Sequence, residues 1–285
     1  MRWTLKGSRV FVIAAVFLLV GWGALLSPPA ISAETTLTIG GTGTATPLLE
    51  QLATHYQSRE PTVSVRIISP PMGSNGSIRA LLAGAIDLAV TGKPLADGEI
   101  ALGGRFWALG RTPFVLATVQ KNPHSGLSLA QLAAIYSGRV VTWPDGSPIR
   151  LILRTPMESD NLALRKLSPL MNNAVDAALA RPGLLSAEND LQNLDLLEKT
   201  PGSLGATSFA LVQSRHARLR LLAIEGVEPN LSNLSSGRYP YQKTLYMAQG
   251  PTVSPAAQHF LNFVLSAAGK EILQQSGYLP VDQHP

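Results

Sequence analysis

Residues 36–58 read TLTIGGTGTATPLLEQLATHYQS, and they predict a strand, a glycine-rich turn and a helix in that order. The alternation of residues from Thr36 to Ile39 is typical of a short strand. Pro47 suits the first position of a helix, and Thr46 before it is a suitable N-cap. Strands and helices alternate in this way along the chain. The sequence therefore predicts an α/β fold, in which mainly parallel sheets are flanked by helices.

The composition excludes several classes of protein. Of the 285 residues, 45% are hydrophobic and 14% are charged, so the chain is too apolar to be disordered and too polar for a polytopic membrane protein. The sequence contains no cysteine, which excludes disulfides and thiolate metal sites, and its histidines lie far apart. We therefore expect no metal and no cofactor. The length favours two folding units.

The first 33 residues have the pattern of an export signal. Three basic residues precede an uncharged run over residues 10–26, and small residues follow as far as Ala33. This pattern predicts a secretory signal peptide at residues 1–33 and a periplasmic or other extracytoplasmic location. The apolar run is close to the length of a membrane span, so an uncleaved anchor is the alternative. The signal supplies much of the net charge of +5, so the charge indicates no nucleic-acid partner.

Motifs typical of catalytic sites are missing from the sequence. It contains neither Gly-x-Ser-x-Gly nor His-Glu-x-x-His. The turn at residues 41–46 lacks the third glycine of a dinucleotide-binding fingerprint. Pro94 follows Gly92-Lys93, which excludes the phosphate loop of nucleotide hydrolases. We therefore expect a binding protein and not an enzyme.

Three segments rich in small polar residues each lead to the N-terminus of a predicted helix. They are residues 42–46, 73–77 and 154–161, and the third begins with Arg154, directly after a predicted strand. The free N–H groups of helix N-termini suit anions, and glycine lets the backbone approach closely. Taken one at a time, Thr46 and Ser77 could simply cap helices. Taken together, the three segments and the arginine indicate an anion site.

These segments resemble those of the extracytoplasmic phosphate-binding proteins of ABC importers. The most specific likeness is residues 129–143, LAQLAAIYSGRVVTW. Further stretches resemble the family in the same order along nearly all of the mature chain: residues 41–46, 73–78, 87–95, 201–205, 239–246, 260–265 and 276–280.

The resemblance implies a type II periplasmic binding protein with two lobes and a two-strand hinge. Lobe one would comprise residues 34–118 and 243–285, and lobe two residues 119–242. Such proteins close around their ligand by hinge motion. The resemblance further implies that the chain works as a monomer, captures a small oxyanion between its lobes and carries it to an ABC permease in the inner membrane, with phosphate as the first candidate.

The resemblance also implies which residues contact the ligand. Hydroxyl and N–H groups would donate from the first two segments, and the planar guanidinium of the arginine would pair with the anion. Thr91 directly precedes Gly92, and Ser159 is a further donor of the third segment. The ligand-binding residues predicted in this way are Thr42, Gly43, Thr44, Ser74, Gly76, Thr91, Arg154 and Ser159.

Two departures from the family pattern leave the ligand open. Gly92 stands where many phosphate binders have an aspartate that accepts a proton from the ligand. Glu158 and Asp160 stand near Arg154, where the family usually has a Ser-Gly-Thr cluster. These carboxylates would repel an anion if they faced it, although Asp160 could instead cap the next helix. A sensory or interaction module that signals to a membrane partner is therefore the alternative to transport.

Overall fold

The computed structural model describes residues 35–282, so the expected signal peptide at residues 1–33 lies outside the described part of the chain. The strands are β1 Thr35–Gly41, β2 Val63–Ile67, β3 Leu88–Thr91, β4 Arg105–Val119, β5 Gly126–Leu127, β6 Arg150–Arg154, β7 Leu185–Ala187, β8 Ser203–Ser208, β9 Leu219–Ile224, β10 Gln242–Gln249 and β11 Leu279–Pro280. The helices are α1 Thr46–Gln57, α2 Gly73–Leu82, α3 Asp97–Ala101, α4 Leu129–Tyr136, α5 Ser159–Lys166, α6 Pro169–Ala180, α7 Asp190–Lys199, α8 Phe209–Ser214, α9 Leu231–Ser235, α10 Pro255–Leu265 and α11 Ala267–Gln275. Within residues 35–282, none of the helices has the length and hydropathy that crossing a membrane requires.

The strands form a mixed sheet in two halves. Its order is β2-β1-β3-β10-β4-β8-β6-β7. In the first half β1 is parallel to β2 and β3, and in the second half β6 is parallel to β7 and β8. Parallel strands joined by helices are the arrangement that the alternating pattern predicts. The predicted α/β class, with helices flanking each mainly parallel half, is confirmed.

The long strand β4 belongs to both halves. Its residues 105–113 pair antiparallel with β10, and its residues 114–117 pair antiparallel with β8. The sequence predicts only the second part of this strand, because residues 105–112 lack a continuous apolar run. Strands β4 and β10 are therefore the segments that connect the two halves of the sheet.

Each half of the sheet has its own hydrophobic core. In the first core, α1 and α10 place side chains such as Leu52 and Phe260 against β1 and β3. In the second core, Tyr136 of α4 and Met171 of α6 pack with Trp143. Apolar burial is the main stabilising contribution to folding, so these two clusters stabilise the two halves of the sheet.

Several helix boundaries differ from the predicted ones. Thr46 is the first residue of α1 rather than its cap, and Ser77 lies within α2, where its hydroxyl donates to the carbonyl of Gly73. The single helix predicted from Asn161 to about Leu179 is two helices, because Ser168 caps a new helix that has Pro169 at its first position. Helix α7 has no counterpart among the predicted elements. Its first residue, Asp190, contacts Arg154, Thr42 and Thr44.

Candidate functional site

Arg154 is the last residue of β6, and its side chain is buried, with 4% of its surface exposed. The Nε of Arg154 donates to the carbonyl of Ala187 at the end of β7, at a distance of 3.2 Å. This bond fixes the plane of the guanidinium against the edge of the second half-sheet. Because a buried cation is costly unless it is paired, the surroundings of Arg154 must supply negative charge.

Three carboxylates surround the guanidinium of Arg154. Its NH1 lies 2.8 Å from Asp190 Oδ1 and 3.0 Å from Asp160 Oδ2, and its NH2 lies 3.2 Å from Glu158 Oε2. The other oxygen of Asp160 accepts a hydrogen bond from Lys243 of β10. The cluster therefore contains two cations and three carboxylates, most of which are deeply buried.

Two threonines of the first predicted segment complete this cluster. The Thr42 hydroxyl donates to Asp190 Oδ2 at 2.9 Å, and the Thr44 amide donates to the same oxygen at 3.0 Å. Between them, a Cβ added to Gly43 would lie 3.0 Å from that oxygen, so glycine permits the close approach of Asp190. Donors from both halves of the sheet thus converge on one carboxylate group.

Asp190, Arg154 and Lys243 keep their charges at neutral pH. Burial alone would raise the pKa of the Asp190 carboxyl, but the charges of Arg154 and Lys243 and hydrogen bonds from Thr44 and Thr42 hold that pKa well below its ordinary value. Burial would also lower the pKa values of Arg154 and Lys243, yet the neighbouring carboxylates raise both. Asp190 therefore stays ionised, and both cations stay protonated.

The remaining predicted site residues lie in two environments. Ser74 accepts a hydrogen bond from the Gly92 amide at 2.9 Å, and a Cβ added to Gly92 would lie 3.5 Å from the Ser159 hydroxyl. Ser74, Gly92 and Ser159 are therefore neighbours. Thr91 uses its hydroxyl to donate to the Lys93 carbonyl, and Gly76 lies inside α2, where an added Cβ would meet Met72 at 3.3 Å. For Thr91 and Gly76 these contacts indicate structural roles.

A small cavity of about 10 Å³ joins the two environments. The cavity is lined by Thr42, Thr44, Gly92, Thr112, Ser159, Lys243, Thr244, Leu245 and Tyr278. The hydroxyls of Thr44 and Tyr278 are buried and have no hydrogen-bond partner within residues 35–282. Buried polar atoms normally find a partner, so these two hydroxyls mark the cavity as a place built for a polar group.

The prediction that Asp160 caps the next helix is wrong. Glu158 occupies the N-cap position of α5, without a side-chain capping bond, and Asp160 lies in the first turn. The carboxylate of Asp160 points to Arg154 and Lys243 instead of turning away. Coulombic attraction to two buried cations outweighs the single hydrogen bond that capping offers.

Sequence reasoning missed Asp190 and Lys243. Asn189 caps α7 through its side chain, and Leu194 and Leu197 are buried along that helix, so a helix signal was present in the sequence. Lys243 lies in β10 just before the apolar residues that predict a short strand at 245–248. A single lysine in an apolar strand is a sign of a buried ion pair, but the sequence does not indicate its partner.

Glu158→Gln is expected to stabilise the protein at neutral pH. Burial raises the pKa of Glu158, and the charges of Asp190 and Asp160 raise it further against the attraction of Arg154. A folded-state pKa above the unfolded value means that ionised Glu158 destabilises the fold as the pH rises through that pKa. Urea unfolding should therefore give a higher midpoint for Glu158→Gln at pH 7, and the gain should shrink below about pH 4, where Glu158 is protonated in both states.

Glu188→Gln is the control for this prediction, since the Glu188 side chain is exposed near the same cluster. The urea midpoint of Glu188→Gln should equal that of the wild type at pH 7 and at pH 4. An equal gain for Glu158→Gln at pH 7 and pH 4, or no gain at pH 7, would contradict the assigned raised pKa.

The fold defines a class of protein: a two-lobed α/β protein in which charged and polar side chains of the two halves meet at their junction. A family model described as a PBP superfamily domain matches residues 28–268. The chain belongs to this superfamily.

Curated relatives cover most of the chain. The chain is 20% identical over 259 residues to the phosphate-binding protein PstS of Borreliella burgdorferi, which covers 87% of this chain and 91% of the relative. It is 22% identical over 266 residues to the phosphate-binding protein PstS of Bacillus subtilis, and this alignment covers 87% of this chain and 82% of the relative.

Solved structures show the same fold. An ABC-type phosphate transport receptor from Vibrio cholerae superposes with a TM-score of 0.64 and 20% identity, covering 87% of this chain and all of the receptor. A phosphate-binding protein from Stenotrophomonas maltophilia superposes with a TM-score of 0.67 and 12% identity, covering 87% of this chain and 91% of that protein. At these identities the comparison establishes the architecture alone.

Proposed function

We propose that the chain is an extracytoplasmic solute-binding protein that captures a small oxyanion between two lobes and delivers it to an ABC permease. Inorganic phosphate is the first candidate ligand. No catalytic step is part of this function. Lobe one comprises residues 34–118 and 243–285, lobe two comprises residues 119–242, and β4 and β10 form the hinge. Export by residues 1–33 and action as a monomer belong to the same proposal.

One observation carries the proposal: the donors of the site converge on an anionic group. The Thr42 hydroxyl, the Thr44 amide and the Arg154 guanidinium all donate to the carboxylate of Asp190. A carboxylate presents two negatively charged oxygens about as far apart as two oxygens of a phosphate group. Planar guanidinium and backbone N–H groups are the donors that suit such oxygens. The contacts of Asp190 therefore support an oxyanion as the ligand of this pocket.

The named relatives support capture and transport over the alternative of a sensory module. Proteins named phosphate-binding protein PstS match this chain over more than four-fifths of its length. Arg154 lies where the resemblance places an arginine that pairs with the anion. The departures at Gly92, Glu158 and Asp160 affect the choice and affinity of the oxyanion, and they leave the convergence of donors intact.

Calorimetric titration with phosphate, sulfate, molybdate and tungstate tests this function. We expect saturable binding of at least one of these oxyanions, with phosphate first. A ligand present at about 100 times its Kd stabilises the folded protein by about 2.7 kcal/mol, so a thermal melt should show a clear rise in Tm. The expected gain is lost in Arg154→Met, whose pocket lacks the guanidinium.

Chloride at equal ionic strength is the control for this titration, because a general salt effect would raise the Tm with every anion alike. The absence of binding by all four oxyanions up to about 10 mM, which corresponds to less than about 3 kcal/mol of binding free energy, would reject the function.

A further inference from the structure

We propose that Asp190 is a tethered ligand of the anion pocket, and that an external oxyanion binds only by displacing its carboxylate. The inference rests on the proposed function and adds a residue that sets the affinity and charge preference of the site. Asp190 is the first residue of α7 and is buried, with 4% of its surface exposed. Its two oxygens take the three donors that converge in the pocket.

The donors of Arg154 are fully engaged by the protein itself. The Nε donates to Ala187, and NH1 donates to Asp190 and Asp160. NH2 donates to Glu158 and, at 3.5 Å, to the Glu188 carbonyl, so all five N–H groups have partners. Lys243 donates to Asp160. An incoming oxyanion therefore gains a strong hydrogen bond from the guanidinium only when one of these carboxylates leaves. Asp190 is the carboxylate that also holds Thr42 and Thr44, so its departure frees three donors at once.

The charge of the cluster favours exchange over addition. Arg154 and Lys243 carry two positive charges, and Asp160, Asp190 and Glu158 carry three negative charges. A further anion placed beside Asp190 would add a fourth negative charge in a buried site, where like charges repel strongly. A singly charged oxyanion that replaces the Asp190 carboxylate leaves the net charge unchanged. The cluster therefore selects monoanions over dianions.

The size of the pocket also indicates that an oxyanion binds only by displacing Asp190. The cavity beside Thr42 and Thr44 measures about 10 Å³, which is about the room that one water molecule needs. A tetrahedral oxyanion does not fit there while Asp190 is in place. The buried hydroxyls of Thr44 and Tyr278 have no partner within residues 35–282, so they are free to bond the further oxygens that a tetrahedral anion has and a carboxylate lacks.

The same bonds hold the two halves of the sheet together. Thr42 and Thr44 follow β1 of the first half, whereas α7, which begins at Asp190, packs on β8 and β6 of the second half. Asp190 therefore joins the halves in the way that a bound ligand joins the lobes of a binding protein. When the Asp190 carboxylate is displaced, its hydrogen bonds to Thr42, Thr44 and Arg154 are broken, and the ligand accepts hydrogen bonds from the same donors.

The test is the affinity of Asp190→Ser for inorganic phosphate, measured by calorimetry at pH 6 and pH 8 beside the wild type. The substitution removes the competing carboxylate, so the pocket is always open. The apparent Kd of the wild type is the intrinsic Kd divided by the fraction of molecules whose pocket is open, and Asp190→Ser should therefore lower the Kd by that factor. We expect at least about a ten-fold lower Kd for Asp190→Ser than for the wild type. The wild type should bind phosphate more tightly at pH 6, where the monoanion predominates, than at pH 8.

Asp195→Ser is the matched control, because Asp195 lies on the same helix and its exposed carboxylate pairs with Lys199. Its Kd for phosphate should equal that of the wild type. Asp190→Asn, which keeps the shape of the side chain, is the second variant. It should also bind phosphate more tightly than the wild type, and circular dichroism should show that both variants are folded.

Acetate provides a readout that does not depend on phosphate. In Asp190→Ser, acetate restores the missing carboxylate as a free molecule, so it should raise the Tm of this variant and leave the wild type and Asp195→Ser unchanged. The Thr44 amide, which donates to Asp190 at 3.0 Å, should exchange its hydrogen faster in Asp190→Ser and regain protection when acetate is added.

The outcomes separate the inference from the proposed function. Equal phosphate affinity in the wild type and both variants overturns the inference and leaves the function standing. Binding of phosphate or acetate by Asp190→Ser, together with no oxyanion binding by the wild type, supports the inference and overturns capture by the native chain. If the wild type binds phosphate and Asp190→Ser does not, the inference is overturned and the function stands. If neither protein binds phosphate or acetate, the pocket is not an anion site, and both are overturned.

Discussion

Arg154→Met is expected to lower the free energy of unfolding by about 3–5 kcal/mol, because it removes one partner of a buried ionic cluster. Asp160, Asp190 and Glu158 would then face Lys243 alone, with two of the three carboxylates fully enclosed. Methionine keeps much of the length and volume of arginine, so most of the loss comes from uncompensated charge rather than from a cavity. Urea unfolding, monitored by circular dichroism, measures this loss in the free energy of unfolding.

Arg150→Met is the matched control, since Arg150 begins the same strand and is exposed. Within residues 35–282 its side chain makes one hydrogen bond, from NH1 to the Pro201 carbonyl, so the loss should be about 1 kcal/mol or less. The double variant Arg154→Met, Asp190→Asn should lose less than the sum of the two single losses, because it removes a charge of each sign. A loss for Arg154→Met no larger than that of Arg150→Met would contradict the importance of the cluster.

The sequence predicts the fold well because its signals are local. The alternation in Thr36 to Ile39 predicts a strand, Ser128 predicts the cap of a helix that runs to Tyr136, and the apolar residues 149–153 predict a further strand. Each of these signals depends on neighbours within a few positions. Each of these elements lies where its pattern predicts it. The whole-chain resemblance adds the two-lobed arrangement, which local patterns alone do not determine.

The cluster around Arg154 is harder to predict because its partners are distant in the chain. Asp190 is 36 positions from Arg154 and 148 from Thr42, and Lys243 is 83 positions from Asp160. A sequence shows that Glu158 and Asp160 are acidic, but only the fold shows that two cations meet them. The same fold brings Thr42 and Thr44 to Arg154, and their contact with an external ligand is still a proposal.

Trp143→Ala is expected to destabilise the protein by about 3–5 kcal/mol, because it empties the centre of the second core. The indole is 98% buried, its ring stacks on His124 at 5.1 Å between centroids, and its Nε1 donates to the Gly202 carbonyl at 3.2 Å. Gly202 has a φ of +71°, and a Cβ built there would clash with the Pro148 carbonyl oxygen. The backbone beside the indole therefore has little freedom to fill the space that the substitution leaves. Circular dichroism in urea measures the loss without relying on tryptophan fluorescence.

Val141→Ala is the control for this prediction, because Val141 lies two residues away and is 60% exposed. Its substitution should change the free energy of unfolding by about 0.5 kcal/mol or less. The proposed anion pocket uses Arg154 at the end of β6, and the second core packs against that strand. A loosened core should therefore also weaken phosphate binding in Trp143→Ala, while Val141→Ala binds normally. A variant that lost stability yet bound phosphate as tightly as the wild type would show that the pocket is held by its ion pairs alone, and not by the packing behind β6.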